Sequence, residues 1–106
     1  MKIIDIIQSE HPTVSFEVFP PKTTDAFSKV QYATEEIARL HPAYMSVTYG
    51  AGGGTSEFTA AIAQNIQRRF GVPTLAHLSC ASSNRERIHA ELSHLQECGI
   101  ENILAL

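Results

Sequence analysis

The stretch Val14-Ser15-Phe16-Glu17-Val18-Phe19-Pro20-Pro21 places an acid inside an apolar segment that two prolines then end. Proline lacks a backbone N–H donor, so the stretch predicts a short strand whose carboxyl end lies just after Glu17. Burying an unpaired charge is costly, so Glu17 must be paired, hydrogen-bonded or functional. In parallel α/β proteins, the carboxyl ends of the strands carry the active site.

Three more strands follow the first one, and a helical pattern separates each pair. Apolar residues at three- and four-residue spacing, Leu40 and Leu92 among them, predict helices that turn these residues inward. Ser83, with Glu86 three residues later, is predicted to cap the third helix, and glycines mark the helix ends. The predicted strands are 14–19, 44–48, 73–78 and 102–106; the predicted helices run from Thr23 or Thr24 to His41-Pro42, from Ser56 to Gly71 and from Ser83 to Gly99. Residues 1–8 are predicted to form a short docking helix. This order favours parallel strands joined by right-handed helical crossovers.

The spacing of three polar residues sharpens the prediction of the fold. Glu17, Thr48 and His77 lie at corresponding places in consecutive predicted strands, 31 and 29 residues apart. This is about one strand–helix unit of a (β/α) barrel, and a complete barrel needs roughly 250 residues. We therefore expect an α/β fold, with residues 1–106 forming an incomplete domain: the first four parallel strands and three helices of a (β/α)8 TIM barrel.

Composition excludes several classes of function. The 106 residues are 43% hydrophobic and 18% charged, with a net charge of −3. The basic residues are scattered, and only Arg68-Arg69 are adjacent, so we expect no nucleic-acid partner. No apolar run reaches membrane-spanning length, so no membrane partner is expected. No secretion signal is evident, which predicts a cytoplasmic protein whose two cysteines, Cys80 and Cys98, are reduced.

Two of the polar residues leave alternatives open. Burial of Glu17 would raise its pKa toward a value useful for proton donation; alternatively it is an acid paired with a helix lysine or exposed on an edge strand. His77 could bind a ligand or transfer protons, or it could be a core histidine satisfied by a backbone carbonyl. His77 and Cys80 have a spacing seen in zinc sites, but two ligands do not make a site, so we expect no metal.

The glycine-rich segment 48–56 resembles a nucleotide-binding loop only superficially. It has no lysine for a Walker-type phosphate loop, and Thr55 stands where a dinucleotide fingerprint needs glycine. Two interpretations stay open. The segment either lets a ligand approach backbone amides at a helix N-terminus or is a plain turn.

Four segments together resemble successive blocks of the methylenetetrahydrofolate reductase family, in the family's order and with family-like spacing. They are residues 15–22, 46–53, 76–80 and 99–106. The resemblance implies a flavin-dependent (β/α) barrel that reduces 5,10-methylenetetrahydrofolate to 5-methyltetrahydrofolate. It also implies bound FAD as cofactor, NAD(P)H as the reductant, and a role in one-carbon metabolism and methionine supply.

The resemblance also assigns roles to individual residues. Glu17 matches the acid that protonates the folate so that its five-membered ring opens to a reducible iminium. Thr48 matches a residue of the flavin and nicotinamide pocket. Tyr49, Ala51 and His77 match residues that contact FAD. Tyr49 and Ala51 follow from the resemblance alone.

The length of the chain supports an alternative of a different class. The family continues past the fourth strand with four more strands, and residues 103–106 of the final strand here are all apolar, with no helix after them. An uncovered parallel strand promotes pairing with another chain, so we expect a homo-oligomer. The alternative is a non-catalytic half-barrel or assembly module that does not bind FAD on its own. Another barrel enzyme, such as a lyase or a pterin-dependent methyltransferase, fits the 14–21 stretch and the glycine loop less well.

Overall fold

The computed structural model describes residues 1–49, 56–81 and 83–106. Its elements are α1 (Ile3–Ile7), β1 (Ser15–Val18), a 3-10 turn (Thr24–Ala26), α2 (Phe27–Ala38), β2 (Tyr44–Val47), α3 (Ser56–Phe70), β3 (Thr74–Leu78), α4 (Arg85–Glu97) and β4 (Asn102–Ala105). The strands form one parallel sheet in the order β1-β2-β3-β4. The expected α/β fold class is confirmed, and the sheet is not closed.

One face of the sheet is buried under the helices, and we call it the covered face. Side chains alternate between the two faces of a strand, so every second residue of β2 and β3 points to the helices. Met45, Val47 and Ala76 lie on this face and are completely buried. They belong to one core cluster with Ala63 and Ile66 of α3. The apolar residues at every second position of β2 and β3 therefore determine where the core forms.

The opposite face of the sheet, which we call the open face, is much less buried. On β4 and just beyond it, Leu104 is 40% exposed and Leu106 is 62% exposed. Helix α1 lies at the amino end of this strand, where the Ile3 backbone N–H donates a hydrogen bond to Asn102 Oδ1 at 2.9 Å. In the part of the chain that the structure describes, this side of the last apolar strand is therefore only partly covered.

Helices α3 and α4 both end at glycines, as predicted. Gly71 and Gly99 have φ angles of 65° and 80°, a region that side chains with a Cβ rarely adopt. After Gly99, the Ile100 backbone N–H bonds the Leu95 carbonyl at 3.0 Å and closes the last turn of α4. Both cysteines are free thiols, as predicted.

Three local predictions about the helices are wrong. The N-cap of α4 is Asn84, whose Oδ1 accepts from the Arg87 backbone N–H at 2.8 Å, and not Ser83. Leu40 is 69% exposed because α2 ends before it, at Ala38. Leu92 is 37% exposed because α4 packs mainly through Leu95.

A partly buried polar contact joins α2 to α3 on the helical side of the molecule. Glu35 accepts hydrogen bonds from Asn65 at 2.9 Å and Gln31 at 3.2 Å, and Arg69 bonds the same oxygen at 2.7 Å. The bonds from Asn65 and Gln31, helped by the charge of Arg69, hold the pKa of Glu35 below its ordinary value of 4.5. Glu35 is only 12% exposed, so these contacts are better shielded than a surface ion pair.

Candidate active site

Glu17 lies on the open face of β1, near the carboxyl end of the strand. Its side chain is 49% exposed, so the prediction that Glu17 is buried is wrong. The reason is the alternation along β1: Val18 points toward the helices and is buried, whereas its neighbour Glu17 points to the other side. The pair of prolines does end the strand directly after this position, as predicted.

Two side chains from neighbouring strands approach the same oxygen of Glu17. The Ser46 hydroxyl of β2 donates a hydrogen bond to Glu17 Oε2 at 3.1 Å. The His77 Nε2 atom of β3 lies 3.6 Å from that oxygen, which is too long for a hydrogen bond but close enough for an ion pair when the imidazole is protonated. The side chain of His77 is only 11% exposed. Glu17, Ser46 and His77 form what we call the carboxylate cluster.

The register of the sheet corrects the alignment inferred from spacing. Glu17 pairs with Ser46, and not with Thr48, which lies two residues further along. Val47 pairs with Ala76, so Thr48 comes level with His77 when that register continues by one residue. Residues two apart on a strand share a face, so Glu17, Thr48 and His77 still lie on the same side of the sheet.

The end of β2 is fixed to the helix that follows it. The Thr48 carbonyl accepts a hydrogen bond from the Thr59 hydroxyl of α3 at 2.9 Å, and the Thr48 backbone N–H donates to the Val18 carbonyl at 3.0 Å. Thr48 and Tyr49 are both partly buried. Ala51 lies outside the described residues, as do all of residues 50–55 of the glycine-rich segment.

Ser46 is the residue of the cluster that the sequence analysis missed. Only 7% of it is exposed, and its hydroxyl makes the direct hydrogen bond to the carboxylate. A signal for it exists in the sequence. Thr48 and His77 are 29 residues apart, and the same step taken forward from Glu17 arrives at Ser46.

The open face combines this polar cluster with apolar neighbours. Leu75 is opposite Ser46 in the register, and Leu104 is opposite His77. A carboxylate beside an imidazole and a hydroxyl can hold and transfer a proton, as general acid–base catalysis requires.

In the described ranges, no three His, Cys, Asp or Glu side chains form a group that could hold a metal ion. No helix in these ranges is long and apolar enough to cross a membrane.

Comparison with known proteins identifies the family of the chain. The family model of methylenetetrahydrofolate reductase matches residues 2–106. The chain belongs to the methylenetetrahydrofolate reductase family. The resemblance found in four segments of the sequence is thereby confirmed over nearly the whole chain.

Individual members of the family from plants, fungi and bacteria are similar to this chain. Methylenetetrahydrofolate reductase (NADH) 1 of Arabidopsis thaliana is 36% identical over 110 residues, covering 100% of the chain. Methylenetetrahydrofolate reductase 1 of Schizosaccharomyces pombe is 43% identical over 101 residues, and 5,10-methylenetetrahydrofolate reductase of Pectobacterium carotovorum is 37% identical over 93, covering 92% and 88% of the chain. The chain spans only 19%, 16% and 31% of the lengths of these three relatives.

Proposed function

We propose that these 106 residues supply the proton-donating part of a reductase that converts 5,10-methylenetetrahydrofolate to 5-methyltetrahydrofolate. The observation that carries the proposal is the carboxylate cluster, in which Ser46 lies 3.1 Å and His77 lies 3.6 Å from Glu17 Oε2. Membership of the family supports the substrate class. In this proposal, residues 1–106 are the first part of a barrel and not a complete catalytic domain.

The proposed role of Glu17 is general acid. Its protonated carboxyl group would donate to a nitrogen of the folate's five-membered ring while the adjacent C–N bond breaks. The electron pair of that bond stays on the nitrogen, and the carbon becomes an iminium centre that can accept a hydride. Exposure on the open face supports this role, because a proton donor must be accessible to its substrate.

The open face also suits a flat cofactor with polar edges and apolar faces. Thr48 and His77 provide a hydroxyl and an imidazole, and Leu75 and Leu104 provide apolar surface beside them. We propose that Thr48, Tyr49 and His77, together with Ala51 by resemblance, help to hold FAD. When bound, FAD would supply the carrier that passes hydride from NAD(P)H to the folate. The names of the Arabidopsis thaliana and Oryza sativa relatives include NADH, which supports a nicotinamide reductant.

Substitution of Glu17 by glutamine tests the proposed role, because glutamine keeps the shape and an acceptor oxygen but cannot donate an acidic proton. The test uses a reductase of full family length that carries these 106 residues, and rapid-mixing absorbance follows flavin reduction and folate reduction separately. Glu17→Gln should slow folate reduction about a thousandfold and leave flavin reduction by NAD(P)H within about twofold. Glu10→Gln, at an exposed acid before β1, is the matched control and should change neither rate. Equal loss in both half-reactions would refute the role.

The short span of the chain favours a second candidate function, a segment that does not bind FAD without the rest of a barrel. The exposure of Leu104 and Leu106 supports it, because a flavin site on this face would lack one of its walls. Visible absorbance of the purified 106-residue chain after incubation with FAD and gel filtration distinguishes the two. Retained flavin bands would rule out the second candidate.

A further inference from the structure

We infer that Ser46 is a positioning residue for Glu17, holding one carboxylate oxygen so that the other oxygen carries the proton to the substrate. This inference deepens the proposed function and depends on it. Neither the spacing of the polar residues nor the roles assigned by resemblance identified Ser46.

The pairing of β1 with β2 brings the side chains of Ser46 and Glu17 into contact. Ser46 and Glu17 are register partners on adjacent parallel strands, so the backbone sets their side chains next to each other on the open face. The Ser46 hydroxyl donates to Glu17 Oε2 at 3.1 Å, while Ser46 itself is 93% buried and Glu17 is half exposed. A buried donor therefore holds a half-exposed acid. A hydrogen bond from a fixed hydroxyl restricts the rotation of the carboxylate.

The arrangement distinguishes the two oxygens of the carboxylate. Oε2 accepts from Ser46 and also lies 3.6 Å from His77 Nε2. Within the described residues, the hydrogen bond that Glu17 receives goes to Oε2, so Oε1 is the oxygen left to carry the proton. The same hydroxyl can donate to Oε2 whether Glu17 is ionised or protonated on Oε1, so Ser46 can hold the acid both before and after it donates its proton.

A purely structural role for Ser46 makes a different prediction. A buried hydroxyl that only needs a partner would stabilise the junction of β1 and β2, and its removal would lower the free energy of unfolding. The loss would reach both half-reactions equally and would not depend on what stands at position 17. A positioning role acts only through the Glu17 carboxyl group.

The test is a double-mutant cycle in a reductase of full family length that carries this segment. Ser46→Ala should slow folate reduction about tenfold and leave flavin reduction and the KM for folate within about twofold. Ser46→Thr, which keeps the hydroxyl, should restore the rate to within about threefold of wild type. Ser15→Ala is the matched control, at an exposed serine on the same face of β1, and should leave both rates unchanged. In the Glu17→Gln background, Ser46→Ala should cause no further loss, because the proton that it positions is gone.

The outcomes separate this inference from the proposed function. If Glu17→Gln leaves folate reduction unchanged, the proposed function itself fails, and the role of Ser46 fails with it. If Glu17→Gln slows folate reduction but Ser46→Ala does not, only the positioning role is refuted. Additive losses in the double variant, or equal losses in both half-reactions, would also refute it. Should Ser46→Ala not fold, Ser46→Cys, which keeps the shape with a weaker donor, replaces it and should give an intermediate rate.

Discussion

The two faces of the parallel sheet use the same four strands for different purposes. On the covered face, Met45, Val47 and Ala76 are apolar and completely buried. On the open face, one position away along the same strands, Ser46 and His77 surround a carboxylate that is half exposed. Apolar burial provides most of the stability of a domain, whereas polar groups in accessible positions provide chemistry. The comparison predicts that substitutions on the covered face reduce stability and that substitutions on the open face reduce function.

The largest expected effect on stability comes from the covered face. Met45→Ala removes a fully buried side chain and should lower the free energy of unfolding by about 3 kcal/mol. Leu104→Ala, on the open face at 40% exposure, should cost less than about 1 kcal/mol, because much of this side chain already contacts water. Urea denaturation of the 106-residue chain measures both. Equal losses for the two variants would contradict the division between the faces.

An intermediate effect is expected at the contact between the helices that cover the sheet. Glu35→Gln removes the charge that Asn65, Gln31 and Arg69 surround, and should cost about 1 to 2 kcal/mol. Glu36→Gln is the matched control, since Glu36 is 51% exposed and pairs only at the surface with Arg39, and should cost less than about 0.5 kcal/mol. A loss at Glu36 as large as that at Glu35 would show that the shielding of the contact does not matter.

The same contact makes stability depend on pH. The folded chain holds the pKa of Glu35 below 4.5, so the folded state binds this proton less readily than the unfolded state. The stabilisation from Glu35 is therefore fully present above pH 4.5 and is lost as the pH falls through the lower pKa of the folded state. The difference in unfolding free energy between wild type and Glu35→Gln should shrink over that interval. A difference that grows on acidification would reverse the assigned sign.

A smaller effect is expected at the start of α4, the helix that follows β3. Asn84→Ala removes the side chain that accepts the Arg87 backbone N–H and should cost about 1 kcal/mol. Ser83→Ala should cost much less, since Asn84 and not Ser83 is the N-cap. Thermal unfolding followed by circular dichroism compares the two variants. The opposite order would restore the capping pattern inferred from the sequence.

The predictable part of this structure is the part that follows from periodicity and chain breakers. Apolar spacing, Gly71, Gly99 and the pair of prolines are local signals, and they predict the strands and helices. The register between strands depends on how whole strand–helix units pack against each other. The spacing of polar residues aligns Glu17 with Thr48, whereas the sheet pairs Glu17 with Ser46, two residues earlier. The sequence also mispredicts the exposure of Glu17. The apolar pattern of a short strand does not indicate whether one face of that strand is covered or both.

The proposed function requires Glu17 to act in proton transfer and not to hold the fold together. The most direct test is the free energy of unfolding of Glu17→Gln in the 106-residue chain, measured by urea denaturation. We expect a value within about 0.5 kcal/mol of wild type, because the glutamine oxygen still accepts from Ser46 and the His77 contact is partly exposed to water. A loss of about 2 kcal/mol or more would make Glu17 a structural partner of His77 and contradict its proposed role.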